Sequence, residues 1–383
     1  MTVIIQQSKT YLTTKIRLSQ EGCSVSIKHF FLDGNTSKGY VTLVKNIVKT
    51  INKVYTIKGS LGNEKTKIFK QISENFEKQD LEIYWLHNPS DENKLDGIVI
   101  PDKGIAVIDG SARNGIEAKY SNFIERIFDL DEALDKTQLV INKNSIIQMQ
   151  GEIEQFHEDA YAKFAKGKEI HEQKEELYIS AMDFDKANKV TAKLAVNLFH
   201  DVTVAKEDPI VEQLFFGAAT PNGAVNYIDS ITSDIKKRYI IKGRSGSGKS
   251  TVMRKIAKYA ENVGLAVQQF PCGLDPNSLD MIIIPSLSVA IIDGTAPHVI
   301  DPTRPGDEVI DMFELCMDQS IETKFDQRFE DLHVAYKQEM KEGTRLLQEA
   351  KQVRESLEQI YQEAVDSTIL TEKINEIIAD ITA

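Results

Sequence analysis

The residues best suited to chemistry in this sequence are Gly243, Arg244, Ser245, Gly246, Ser247, Gly248, Lys249, Ser250 and Thr251. They follow the spacing G-x-x-x-x-G-K-[ST], in which each residue type has a task. Glycines at 243, 246 and 248 let the backbone curl, so that several N–H groups converge on phosphate oxygens. A helix opening at Lys249 adds the positive end of its dipole. The expected roles are Lys249 on the β- and γ-phosphates of ATP or another nucleoside triphosphate, the Ser250 hydroxyl on Mg²⁺, and Thr251 as a further phosphate contact. The plainer alternative is a Gly/Ser turn between a strand and a helix.

Such a loop needs a carboxylate for the metal. "SVAIIDG" supplies Asp293 at the end of an apolar run, expected to hold Mg²⁺ through water. Its alternative is an Asp that opens an Asp-Gly turn. No glutamate follows Asp293, so the group that orients water must come from nearby: His298, Asp301, Asp307 and Glu308 are the candidates. The expected catalytic set is Asp293, His298 as a neutral base, and Glu308. Cys272, Asp275 and Asp280 lie in a polar loop further upstream, as substrate or metal contacts or as turn and cap residues.

These residues require a particular scaffold. "KKRYII" reads as a strand ending in glycines, and 249–262 as a helix, with Val252, Ile256 and Ala260 at spacing four. "GLAVQQF", "MIIIP" and "SVAIID" read as further strands, and their near-continuous apolar runs suit a sheet buried on both faces. Strand, glycine turn, helix and strand make a three-layer α/β pattern. From Phe325 to Ala364 apolar residues recur mostly at three or four, which predicts one amphipathic helix about 60 Å long with a coiled-coil-like stripe. "DSTI" breaks it, and a shorter helix over about 370–381 follows.

The same plan occurs twice. At an offset of 184 residues, "VYTIKGSLGNEKTKIFKQI" falls on "RYIIKGRSGSGKSTVMRKI", and Val54–Ala112 matches Arg238–Ala296 without a gap. Phe31 meets Phe215, and one register slip later Tyr178, Ala181 and Asp183 meet Tyr361, Ala364 and Asp366. So long a period indicates a duplicated domain, not a solenoid. The expected division is an N-terminal extension over 1–24, a first copy over 25–205 and a second over 206–383. Each copy carries a helical hairpin, about 148–200 and about 322–383. The hairpins either project or cap their own sheets, and they are expected to mediate association between the copies or between chains.

The first copy's loop reads "GSLGNEKTK", with Glu64 in place of Gly248. A side chain stands where the backbone must approach phosphate, its charge opposes theirs, and Lys65 is expected to pair with Glu64. Copy one should therefore keep its fold and bind no nucleotide.

Composition limits the alternatives. The chain has 383 residues, 41% of them apolar and 27% charged, with a net charge of −12. That suits a two-domain globular protein and disfavours a nucleic-acid-coating surface. Three scattered cysteines, with no CxxC, predict neither a disulfide framework nor a zinc cluster. The N-terminal stretch lacks the apolar core of a signal peptide, and no apolar run is long enough for a bilayer, so a reducing cytoplasm is expected and a membrane partner is not.

With "HFFLDGNTSKGY", "KKRYIIKGRSGSGKST", "DPNSLDMIIIP", "DGTAPHVIDPTRPGDEVIDM" and "EAVDSTI", the chain resembles a family of bacterial tandem P-loop proteins labelled ATPase or nucleotide-kinase-like. The resemblance runs from about residue 25 onward. It implies duplicated P-loop NTPase-like α/β domains and a site at Gly243 to Thr251, Asp293, Thr295, His298 and Asp301. Copy one departs from that pattern, having "DGSARN" where copy two has "DGTAPH". The leading expectation is Mg²⁺-dependent ATP binding and hydrolysis by copy two. The alternatives are a nucleotide-gated interaction protein with negligible turnover and a small-molecule kinase.

Overall fold

The β-branched run before the glycine loop does form a strand, and it lies inside a six-stranded sheet built twice. The computed structural model describes residues 27–110, 113, 115–204 and 208–383; the N-terminal extension lies outside the described residues. In the first half the order is β1 (Ile27–Phe31), β2 (Asp33–Thr36), β3 (Gly39–Thr42), α1 (Val44–Thr50), β4 (Lys53–Lys58), α2 (Gly62–Glu77), β5 (Ile83–Asn88), β6 (Asp91–Ile100), β7 (Ile105–Asp109), α3 (Ile116–Tyr120), β8 (Ile124–Asp129), α4 (Lys136–Ile141), α5 (Lys143–Ile179) and α6 (Phe184–Phe199). The second half repeats it with β9 (Val211–Gln213), β10 (Gly217–Thr220), β11 (Gly223–Asn226), α7 (Ile228–Ile231), β12 (Lys237–Lys242), α8 (Lys249–Asn262), β13 (Val267–Pro271), β14 (Leu279–Ile284), β15 (Val289–Asp293), β16 (Asp307–Asp311), α9 (Met312–Cys316), α10 (Ser320–Lys324), α11 (Asp326–Glu363) and α12 (Ser367–Thr382).

The sheets are β1-β5-β6-β7-β4-β8 and β9-β13-β14-β15-β12-β16, the same order in each half. β6 and β14 run antiparallel to both neighbours, and the remaining pairs are parallel. Register repeats as well: Ile57 lies beside Asp109 and Ile241 beside Asp293. The glycine loop leaves the end of a strand whose neighbour ends in the acid, which is how an α/β sheet gathers groups at its carboxyl edge.

The halves meet about a pseudo-two-fold axis. Phe31 and Phe215 exchange both main-chain hydrogen bonds at 2.9 Å, and Asn35 Nδ2 donates to the Ala219 carbonyl at 3.0 Å. The inner sheet faces share one core, in which Val54, Val99 and Ile108 lie with Phe270, Ile283 and Ile292. Each unit is thus a sheet with helices on the outside, and on the inside the short helices α1, α3 and α7 share a core with the other copy's sheet.

The long helices follow neither arrangement anticipated for them. α5 and α11 pack antiparallel along their length: Gln150 Nε2 lies 3.3 Å from the Tyr361 hydroxyl at one end, and the Tyr178 ring stacks on Phe329 at 4.4 Å at the other. α6 then packs on α8 and α9 of copy two, and α12 packs on α2 of copy one. Leu370, Ile377 and Ile381 complete the core around Ile68 and Ile72, and Leu194 completes that around Val252 and Ile256. The crossing points are matched: Leu134 bridges Val365, and Met317 bridges Met182. Association between the copies is therefore built into the chain, with each outer layer finished by a helix from the other half. Among the described residues no helix is long and apolar enough to cross a membrane, and Cys272 and Cys316 are free thiols.

Candidate functional site

Between β12 and α8 the chain turns through Gly243, Gly246 and Gly248, with φ of 149°, 72° and 83°. A Cβ on Gly243 would stand 2.5 Å from Ser247 Oγ, so a side chain there would close the loop on itself. Ser247 is buried with its Oγ unpartnered. Lys249, the first residue of α8, donates to the Arg244 carbonyl at 2.9 Å and lies 3.6 Å from Asp293 Oδ2. The Asp293 Oδ1 atom accepts from the Thr295 amide and hydroxyl at 2.9 and 2.6 Å. Ser250 Oγ accepts one hydrogen bond, from the Leu279 amide at 3.0 Å, and keeps a lone pair. A hydroxyl and a carboxylate oxygen so placed are donors that Mg²⁺ takes while retaining several waters. Among the described residues no cluster of three or more His, Cys, Asp or Glu is arranged for a metal, so protein ligation would rest on Ser250 and Asp293.

These groups line a cavity of about 770 Å³, with Ser245, Thr251, His298, Asp280 and Asp275 also on its wall. That size is within the range of small-molecule sites. Arg244 turns away, its Nε 2.5 Å from Glu322 and its guanidinium over the Phe313 ring. Asp301 binds Lys242 at 2.9 Å in an exposed ion pair. Asp307 is held well below the usual carboxylate range by the Arg238 guanidinium at 2.7 Å and is a fold residue. Glu308 is not at the site. It sits on the edge strand β16, paired with Lys237 at 2.7 Å and absent from the cavity wall, so the catalytic role expected for it has no geometric basis.

His298 and Asp280 are shifted in opposite directions by the same burial. Burial lowers the His298 imidazole to about 4, its Nδ1 has no partner, and its ring stands edge-on to Phe216. Burial, then the neighbouring Asp293 charge, raise the Asp280 carboxyl to about 7. Asp280 faces the same cavity as Lys249 and Asp293, with its Oδ2 3.9 Å from His298 Nε2.

The roof comes from the first half of the chain. A Cβ on Gly246 would meet Ile179 Cγ1 at 2.8 Å and the Glu175 carbonyl at 2.9 Å, so α5 rests directly on the loop. His171 Nε2 lies 3.2 Å from Ser245 Oγ. Asn188 and Thr191 of α6 line the same cavity. Sequence reasoning missed these residues, because they join the loop only through the helix exchange.

Copy one has collapsed at the equivalent place. α2 begins at Gly62, whereas α8 begins three residues later in the repeat, at Lys249, so "GNE" forms a helical turn instead of a loop. The Ser60 amide donates to Asp131 Oδ1 at 2.6 Å, which occupies a donor that a phosphate would need. The expected Glu64–Lys65 pair does not form: Lys65 binds Asp109 at 2.8 Å, and Glu64 accepts from Lys67 at 2.7 Å.

The chain matches no protein-family model, no curated protein and no solved structure.

Proposed function

We propose that copy two binds ATP with Mg²⁺ and hydrolyses it slowly or only when prompted. The observation that carries this reading is the convergence of Lys249, Ser250 and Asp293 on one cavity beneath a loop whose three glycines have positive φ. The loop amides and the start of α8 would receive the phosphates, and Lys249 would leave the Arg244 carbonyl for the β- and γ-oxygens. Ser250 and Asp293 would hold Mg²⁺, which supplies positive charge against the phosphate oxygens. Asp280 would accept the proton of the attacking water, while Thr295 fixes the orientation of Asp293. Copy one would act as a nucleotide-free partner that supplies the roof.

One observation favours nucleotide-gated interaction over rapid turnover. The loop is pressed against α5 at Gly246, so any loop movement on binding pushes the α5–α11 pair. The test is calorimetry with ATP or a non-hydrolysable analogue and Mg²⁺, alongside phosphate release. Binding lost in Lys249→Ala with slow release supports the reading. Binding unchanged in Lys249→Ala overturns it, and consumption of ATP only with an added acceptor would make the protein a kinase.

A further inference from the structure

The collapsed site of copy one still encloses a cavity, of about 250 Å³, whose charge has been rebuilt. Comparison through the internal repeat shows how. Lys94 stands where copy two has Ser278, Arg113 where it has Pro297, and Arg354, contributed by α11, where it has His171. All three cations line the copy-one cavity. The inherited acids are largely committed: Asp109 holds Lys65 at 2.8 Å, and Asp91 holds Lys351 at 2.9 Å. Glu358 holds Lys94 at 2.5 Å, and Asp96 accepts from Asn88 at 2.7 Å. Burial and the charges of Asp109 and Asp33 push Asp96 well up, toward its neutral form.

The two arginines are left over. Arg354 makes no hydrogen bond or ion pair among the described residues, and burial with the Arg113 charge lowers its pKa. Among the described residues Arg113 donates to the Tyr161 hydroxyl at 2.6 Å, lies over the Tyr40 ring and forms no ion pair. Asp96 and Glu358 act on Arg354, and Asp33 acts on Arg113, only through space, with no ion pair to either arginine among the described residues. Guanidinium forks left without a bidentate partner match the oxygens of phosphate-type anions. The volume suits a small oxyanion better than a nucleotide.

We infer that copy one is a binding site for a small phosphate-class dianion, held between Arg113 and Arg354. The site is assembled across the halves, because Arg354 arrives on a helix of copy two. It therefore connects anion occupancy to the α5–α11 pair that roofs the other cavity. The inference does not depend on nucleotide binding in copy two.

The test uses the full chain carrying Lys249→Ala, titrated calorimetrically with inorganic phosphate and with pyrophosphate at constant ionic strength. Saturable binding of one anion per chain is expected. Adding Arg354→Gln should weaken it by about tenfold or more, as the loss of a charge-assisted hydrogen bond requires, and adding the exposed Arg328→Gln should not. If Arg354→Gln does not fold, as judged by its melting curve, Arg113→Gln carries the same expectation. No saturable binding of either anion, or affinity unchanged by the arginine substitutions, overturns the inference.

Discussion

The Lys65 amino group lies 2.8 Å from both carboxylate oxygens of Asp109, whereas its counterpart Lys249 stands 3.6 Å from Asp293 Oδ2 and donates to a carbonyl of its own loop. The first lysine is neutralised in place. The second is loosely held and close to the loop amides. Nucleotide stoichiometry should follow that difference. One ATP per chain is expected, with stabilisation of about 2.7 kcal/mol at a hundredfold excess over Kd. Lys249→Ala should remove the stabilisation. Lys65→Ala should keep one site but destabilise the fold by about 3–5 kcal/mol, because it takes the cation from a buried ion pair. Thermal melts with and without nucleotide read both, and two equivalent sites would contradict the assignment.

Asp280 should make stability fall with pH. Its carboxyl, raised to about 7 among Asp293, Cys272, Asp275, His298 and Lys249, keeps a proton in the folded state that the unfolded chain has already lost. Between the unfolded value near 4 and about 7 the native state therefore binds more protons, and stability declines as pH rises. His298 acts in the opposite sense: lowered to about 4, it contributes stability above its unfolded value near 6.5 that is lost as pH falls through about 4. Asp280→Asn should raise the melting temperature at pH 8 and leave it nearly unchanged at pH 4. Equal effects at both pH values would show that Asp280 is not the titrating group.

The two long helices can be probed through their glycines. A Cβ on Gly343 would lie 2.4 Å from the buried Phe164 ring, while a Cβ on Gly151 would meet nothing within 4 Å. Overpacking at Gly343→Ala should cost about 1–3 kcal/mol, against a helix-propensity gain near 1 kcal/mol. Gly151→Ala should show the gain alone. Denaturant melts of the two variants should shift in opposite directions.

Removing 367–382 should damage the distant half. Leu370, Ile377 and Ile381 pack around Ile68 and Ile72, so hydrogen exchange should rise in α2 and stay low in α8. Faster exchange confined to copy two would refute the exchanged packing.

Much of the scaffold was legible because its signals are local. The helix over 249–262, the runs around "MIIIP" and "SVAIID", and the 184-residue repeat were read directly, and α8, β14 and β15 lie there. What escaped was long-range. Nothing near Phe184 or Ser367 says which copy's helix it will cover, since an amphipathic face specifies apolarity and not a partner. The same ambiguity hid His171 and Glu175 from the candidate site. Glu308 was assigned by nearness in sequence to Asp293, yet β16 carries it to the sheet edge. Nearness in sequence pairs Lys65 with Glu64, whereas the packing of α2 beside the end of β7 brings it to Asp109.

The helix exchange also sets the order in which the protein can be made. Copy one leaves the ribosome first, but the outer face of its α2 stays uncovered until α12 is synthesised. At cellular elongation rates the intervening stretch, from α2 to Ser367, takes roughly 15 to 60 s. Throughout that interval the core around Ile68, Ile72 and Phe76 lacks Leu370, Ile377 and Ile381, and the first half waits, half-finished, for a piece of itself that the second half carries.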